Sequence, residues 1–395
     1  MSSLAHDLAE RLEALRRQGL GRELRRVSSA CGPRIEIGGQ SCLNFASNDY
    51  LGLANHSALR AAAIQAVGLY GAGAGASRLI CGSLAPFHDL EAALAAFKQT
   101  EAALTFATGY ATALGTITAL LGKDDIIILD KLVHASIVDA ARLAGAKLRV
   151  FAHNDLNDLE DKLKWAATVA RPAATPARHV LVVTESIFSM DGDAAPLREI
   201  AALKEKYGVW LMVDEAHATG VVGKMGRGLA EALGVSSQIE IQMGTLGKAL
   251  GASGGFISGS RVLVDYLINR ARSFIFSTAP VPAAAGAALA GLALAQSAEG
   301  DARRATLQQL TAEVRRACGH ANPTGPGAII PLIIGQETKA VEAAAALRAQ
   351  GVFAPAIRYP TVARGSARLR LSLTAAHQPA DVAALVRCLQ PIAHL

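Results

Sequence analysis

The 395-residue chain is poor in cysteine and aromatics, with five Cys, two Trp and an aromatic share of 5%. Cys31, Cys42, Cys81, Cys318 and Cys388 form no CxxC pair, so the sequence offers neither a zinc frame nor a disulfide framework, and reduced thiols in a cytoplasmic protein are expected. Long apolar runs are also missing. Asp7, Glu10, Arg11, Glu13 and Arg16 interrupt the first 24 residues, which argues against a signal peptide. The Ala-rich run from Val281 to Ala295 is shorter than the ~20 residues a membrane span needs and reads as a buried helix. Charge is not concentrated either: 39 Lys and Arg against 33 Asp and Glu leave +6, scattered as pairs such as Arg16-Arg17 and Arg303-Arg304. Without a basic tract no nucleic-acid partner is expected, and the mild positive balance suits anionic small molecules or carriers. Several catalytic signatures are absent too. There is no GxxxxGK[ST] loop, Ser189 lies in no GxSxG elbow, and Ala76 stands where a dinucleotide fingerprint starting at Gly71 needs its third glycine.

What is present is a composition for a large core, 51% hydrophobic and 18% charged. Leu4, Leu8, Leu12 and Leu15 have helical spacing, and Arg34 to Ile37 with Ser41 to Phe45 frame a Gly38-Gly39 turn, a hairpin signal. From about Ala58 to Ile268 helical stretches alternate with short apolar runs, which predicts an α/β fold around a largely parallel sheet. The runs are Ile126 to Leu129, Val180 to Val183, Trp210 to Val213, Ile239 to Met243 and Gly255 to Ser258. A smaller α+β region follows, with strand-like Ile329 to Ile334, helix-like Ala340 to Gln350, and strands near Val352 and from Leu369 to Leu373. The sequence therefore predicts an N-terminal helix and arm over 1–50, a large domain over 51–299 and a small C-terminal domain over 300–395.

Reactive residues follow the central runs: Asp130 and His134, Glu185 and Ser189, Asp214 and His217, Thr245 and Lys248. Ligands of open parallel sheets bind beyond the carboxyl ends of the strands, so the repetition points to one site. Lys248, framed by glycines and apolar residues, suits Schiff-base chemistry, which needs a neutral amine; an exposed or phosphate-binding lysine is the alternative. Asp214, at a buried strand's exit, suits a partner for a protonated pyridine nitrogen. Asp214-Glu215-Ala216-His217 could also be half a metal site, but no third ligand accompanies it, and no metal is expected. Gly109-Tyr110 at a helix start could cradle a phosphate or simply cap the helix. His134 could stack on a flat cofactor or merely begin a helix. Arg358, Arg364, Arg368 and Arg370 could clamp a carboxylate, against a default of a solvated basic face.

Together, Asn48-Asp49-Tyr50-Leu51-Gly52-Leu53, Thr184-Glu185-Ser186 with Phe188-Ser189-Met190-Asp191-Gly192-Asp193, Asp214-Glu215-Ala216-His217-Ala218-Thr219-Gly220 and Gly244-Thr245-Leu246-Gly247-Lys248 resemble the α-oxoamine synthases. These are pyridoxal 5'-phosphate enzymes of the aspartate-aminotransferase fold (fold type I), and the resemblance runs from about residue 20 to 380. It implies a mostly parallel central sheet in the large domain and a smaller α+β domain. It also implies that Lys248 forms the Schiff base with the cofactor and serves as base, that Asp214 pairs with the ring nitrogen and that His134 stacks on the ring. Ser189, His217 and Thr245 would bind cofactor oxygens, with Gly109 and Tyr110 at the phosphate. Arg358 would clamp the amino-acid carboxylate, with Arg22 (or Arg25, three residues on), Asn48 and Thr361 beside the substrate. The segments Phe151 to Asp155, Ala356 to Val362 and Arg368 to His377 resemble the member that condenses L-alanine with a pimeloyl thioester, carried on acyl carrier protein or coenzyme A. A homodimer is implied, with Gly73 to Ser77 and Ser277-Thr278 reaching toward the partner. Two other readings stay open: a member acting on glycine and acetyl-CoA, and a non-catalytic binding protein that retains the fold.

Overall fold

The computed structural model describes residues 3–169, 179–319 and 325–390. In chain order the strands are β1 (Arg34–Ile37), β2 (Gln40–Asn44), β3 (Ala102–Phe106), β4 (Ile126–Asp130), β5 (Lys147–Phe151), β6 (Val180–Glu185), β7 (Trp210–Asp214), β8 (Ile241–Thr245), β9 (Gly255–Gly259), β10 (Ile329–Gly335), β11 (Val352–Phe353), β12 (Ala356–Ile357) and β13 (Ala367–Ser372). The helices used below are α1 (Ser3–Arg17), α2 (Ser57–Tyr70), α3 (Ala85–Lys98), α4 (Gly109–Leu120) and α5 (Ala135–Ala144).

The chain divides into two compact units. The larger comprises residues 51–189 and 193–305 and is built on a seven-stranded sheet of order β3-β9-β8-β7-β6-β4-β5. Only β9 runs against its neighbours. β4, β6 and β7 are near-continuous runs of Ile, Val and Leu because helices cover both faces, leaving no solvent side for polar residues to face. One core, with Ile127, Leu129, Val183 and Met212, packs on one face against Ala113, Ile117 and Ile137 of α4 and α5. A second, with Ile128, Val182, Leu211 and Val213, packs on the other against Leu159, Leu163 and Ile200. Full burial of each such side chain contributes about 1.5–3 kcal/mol.

The smaller unit gathers residues 1–50, 190–192 and 306–395. Where the sequence predicts a separate N-terminal arm and a boundary at 300, the arm groups with the C-terminal part because β2 pairs in parallel with β11, and the division falls inside the helix Ala298–Ala317. Its second sheet has the order β10-β13-β12. Helix α1 forms where predicted, yet none of its residues is buried, and Leu4, Leu8, Leu12 and Leu15 all face solvent. Among the described residues no helix is long and apolar enough to cross a membrane.

Candidate active site

The strands of the larger unit deliver the predicted residues at their carboxyl ends. β4 ends at Asp130 and the chain turns to His134, the N-cap of α5, whose Nδ1 accepts the Ser136 N–H at 3.2 Å. β6 ends at Glu185, four residues before Ser189; the Ser189 N–H donates to Glu185 Oε2 at 3.2 Å. β7 ends at Asp214 and leads to buried His217 through a turn in which the Ala218 and Thr219 N–H groups both donate to the Glu215 carbonyl. β8 ends at Thr245, and the connection to β9 carries Lys248. This connection is closed at both ends. Thr245 lies opposite Gly255 in the antiparallel ladder, Leu246 N–H donates to Gly254 O at 2.9 Å, and Gly251 N–H donates to Lys248 O at 2.9 Å.

Lys248, Asp214, His134 and Glu185 lie close enough to influence one another's ionisation. Burial raises the pKa of Asp214, which lies 5% exposed, while the Lys248 charge, the Ala216 N–H at 2.9 Å and His134 pull it down. His134 keeps solvent-exposed surface, but loss of hydration around its ring lowers its pKa; Lys248 adds to this and Asp214 opposes it. The ring is thereby kept neutral near pH 7, which suits stacking. Glu185 is fully buried, and desolvation together with the neighbouring Asp214 carries its pKa well above the carboxylate range, against the pull of Lys248.

A phosphate-bearing cofactor fits the start of α4. Thr108 caps the helix by accepting the Ala111 N–H at 3.0 Å, so the N–H groups of Gly109 and Tyr110, with no carbonyl one turn earlier, remain for an anion. Gly109 lets this terminus approach β8: a Cβ there would come within 2.7 Å of Thr245 Cγ2. Thr245 Oγ1 is buried and without a protein partner, the kind of orphaned hydroxyl that a ligand oxygen satisfies. Tyr110 is half exposed, its hydroxyl donating to Asp139 Oδ2 at 2.6 Å.

The predicted substrate residues gather in the smaller unit. The Arg358 guanidinium donates to the carbonyls of Gly19 and of Gly21, and Arg22 Nη2 reaches Thr361 Oγ1 at 3.5 Å. Burial and the neighbouring Arg22 hold the Arg358 pKa below its ordinary value, partly offset by Glu337. Arg25, the alternative to Arg22, is exposed. Half-buried Asn48 is fixed through its side-chain oxygen, which accepts from Arg370 Nη2 and from the Tyr50 hydroxyl, each at 3.1 Å. Arg368 and Arg370 are therefore no solvated face: both are buried, Arg368 paired with Asp191 and Arg370 also donating to Ser372 Oγ at 2.7 Å.

Two features lay beyond sequence reasoning. The burial of Glu185 and Arg370 is one, since a buried acid and a buried guanidinium look like any charged residue until their strands are placed. The other is a network around His153, whose Nδ1 and Nε2 lie 3.0 and 2.8 Å from Asp130 Oδ1 and Asp193 Oδ2. Its ring also meets Phe188 edge-on at 4.4 Å, next to Ser189. Burial alone would favour the neutral imidazole, but the two carboxylates outweigh it and raise the pKa to about 10. A folded value above the unfolded one contributes stability that is fully present below about pH 6.5 and is lost as the pH rises through 10. His153→Gln should therefore lower the melting temperature at pH 7, and the gap to the unaltered protein should close above pH 10. A gap that stays constant over that range would remove the charge from this account.

A cleft of about 1010 Å³, bordered by His179, Trp210, Glu240 and Tyr266, lies at the opposite, amino ends of β7 and β8 and contains none of the predicted residues. Among the described residues no group of three or more His, Cys, Asp or Glu side chains could hold a metal ion.

Comparison with known proteins covers nearly the whole chain. The sequence profile of the family "Aminotransferase class I and II" matches residues 40–389. An 8-amino-7-oxononanoate synthase of Anaeromyxobacter sp. (strain Fw109-5) is 51% identical over 390 residues, covering 96% of this chain and 94% of that protein. Among solved structures, a serine palmitoyltransferase from S. paucimobilis with a bound PLP–myriocin adduct superposes with a TM-score of 0.90 at 28% identity, over 100% of this chain and 99% of that one. An 8-amino-7-oxononanoate synthase from Francisella tularensis gives 0.74 at 28% identity, over 89% of this chain and 98% of that one.

Proposed function

Because this chain belongs to the aminotransferase class I and II family, we propose that it is a pyridoxal-phosphate-dependent acyltransferase that condenses L-alanine with a pimeloyl thioester. The products are 8-amino-7-oxononanoate, carbon dioxide and free thiol, a step of biotin biosynthesis. The observation that carries this reading is the electrostatic contact of Lys248, Asp214 and His134 at the carboxyl ends of one sheet, in a chain alike along nearly its whole length to synthases of that name.

When bound, pyridoxal phosphate supplies an electron sink for the charge left on the amino-acid α-carbon. The chain's own residues prepare for that chemistry. Lys248 would provide the amine that holds the cofactor covalently and a base for the α-proton of alanine. Asp214, in a site dry enough to strengthen its field, holds a proton on the ring nitrogen. Neutral His134 covers the ring face. Ser189 and His217 hold cofactor oxygens, while Thr245 and the free N–H groups of Gly109 and Tyr110 take the phosphate. The facing cations Arg22 and Arg358, with Thr361 and Asn48, bind the substrate, and the Arg358 fork takes the alanine carboxylate.

Arg358→Ala should raise KM for alanine about 10- to 100-fold, as loss of a charge-assisted hydrogen bond predicts, with a much smaller change in kcat. An unchanged alanine dependence would move the clamp to another residue. A homodimer is part of the reading. Its support is an exposed apolar set, Ile64, Leu69, Ile80 and Phe276, in the unit where the Ser77–Thr278 bridge joins the two segments expected to reach the partner. The deciding assay is thiol release by the cofactor-loaded protein. Alanine with pimeloyl-CoA should be strongly preferred; a preference for glycine with acetyl-CoA would keep the family and reassign the substrates.

A further inference from the structure

The proposed reaction leaves one pair of buried charges unused. Lys98, the last residue of α3, and Glu215, directly after Asp214, form an ion pair with side-chain exposures of 2% and 0%. Neither group reaches water, so each charge is sustained only by its partners. Lys98 Nζ has one more, the Arg227 carbonyl at 2.6 Å. Glu215 is held at every polar atom. Its Oε2 takes Lys98, its Oε1 accepts the Ala230 N–H at 2.9 Å, its N–H donates to Met243 O of β8 at 2.8 Å, and its carbonyl accepts the N–H groups of Ala218 and Thr219. The chain even reserves room for the carboxylate. Gly228 has φ of +124°, and any side chain there would collide with the Glu215 carboxylate.

We infer that Lys98 is a positioning residue for Asp214: by neutralising and anchoring Glu215, it fixes the exit of β7 and keeps a second negative charge from acting on the Asp214 carboxylate. The charged and titratable groups facing Asp214 are Lys248, His134, Glu185 and Glu215. Lys248 favours ionised Asp214 and Glu215, the next residue along the chain, opposes it, and Lys98 is the cation set against Glu215. Without Lys98 the exit of β7 would lose its anchor, and to the extent that Glu215 kept its charge it would push Asp214 toward the protonated form, which cannot hold a proton on a ring nitrogen.

The inference rests on the reading of Asp214 as the ring-nitrogen partner, and the test separates the two. The readout is the dissociation constant of pyridoxal phosphate by equilibrium dialysis, from pH 5.5 to 9, together with the visible circular dichroism of the loaded protein. Lys98→Met should weaken binding about tenfold at pH 7 and move the pH dependence upward by about half a unit or more. The double variant Lys98→Met with Glu215→Gln removes both charges and should recover affinity to within about threefold, with the original pH profile. A role in packing alone predicts the double variant to be no better than Lys98→Met, and that result would overturn the inference. Should Lys98→Met not fold, Glu215→Gln carries the test, because it leaves Lys98 uncompensated and should move the pH dependence downward; no shift, or an upward one, overturns the proposal. Asp214→Asn is the reference. If it binds the cofactor as the unaltered protein does, the underlying reading of Asp214 fails; if it binds weakly while Lys98→Met binds normally, only the role of Lys98 fails.

Discussion

Lys248→Ala is expected to reduce alanine-dependent thiol release by at least about 10³- to 10⁴-fold, because in the proposed reaction one substitution would remove both the covalent anchor of the cofactor and the base that takes the α-proton. The fold should survive. Leu246, Ala249 and Leu250 are at most 2% exposed and pin the connection around the lysine, whereas Lys248 itself is only half buried. Far-ultraviolet circular dichroism should thus match that of the unaltered protein, while the visible absorbance of the covalently held cofactor is lost. Activity within tenfold of the original would mean that another residue does this chemistry.

Asp214→Asn should lower kcat about 10²- to 10⁴-fold and yet leave the cofactor-free protein as stable as before, or more so. The two effects have opposite signs for one reason. Burial raises the pKa of Asp214, so its ionised form costs stability that grows as pH rises through that pKa, and a neutral amide of the same shape avoids the cost. The amide cannot keep a proton on a ring nitrogen. Melting temperatures of the cofactor-free variants, beside kcat with alanine and a pimeloyl thioester, check both halves. A variant that loses stability and activity together would point to folding rather than charge.

The central strands were legible because burial on both faces leaves only apolar residues, and Ile126 to Leu129, Val180 to Val183, Trp210 to Val213 and Gly255 to Ser258 fall within observed strands. β8 was displaced: the apolar run begins at Ile239, but the strand begins at Ile241, since Glu240 turns back to accept the Leu211 N–H at 2.9 Å. β5 was missed because it is an edge strand with Lys147, Arg149 and Val150 exposed, and β3 because Ala102 and Ala103 carry little strand preference. That Lys248, Asp214 and His134 gather at the carboxyl ends of one sheet was legible from their places after strands. The burial of Glu185 and the pairing of Lys98 were not. The partner of Lys98 lies 117 residues away, and a lone charged residue reads as solvated until the chain brings its counter-ion.

The closed connection between β8 and β9 also sets how far the Lys248 amine can wander. With both ends fixed in adjacent strands, the backbone contributes almost no travel, and the amine moves only by torsions of its four-carbon stem. Such a tether confers a local concentration that no dissolved amine can match, in the millimolar range or above for even a loose tether and many orders higher when the geometry is preset. In the proposed reaction the Lys248 amine would therefore be the nearest competitor for its own place on the cofactor, and millimolar lysine or ammonia in the surroundings should scarcely interfere.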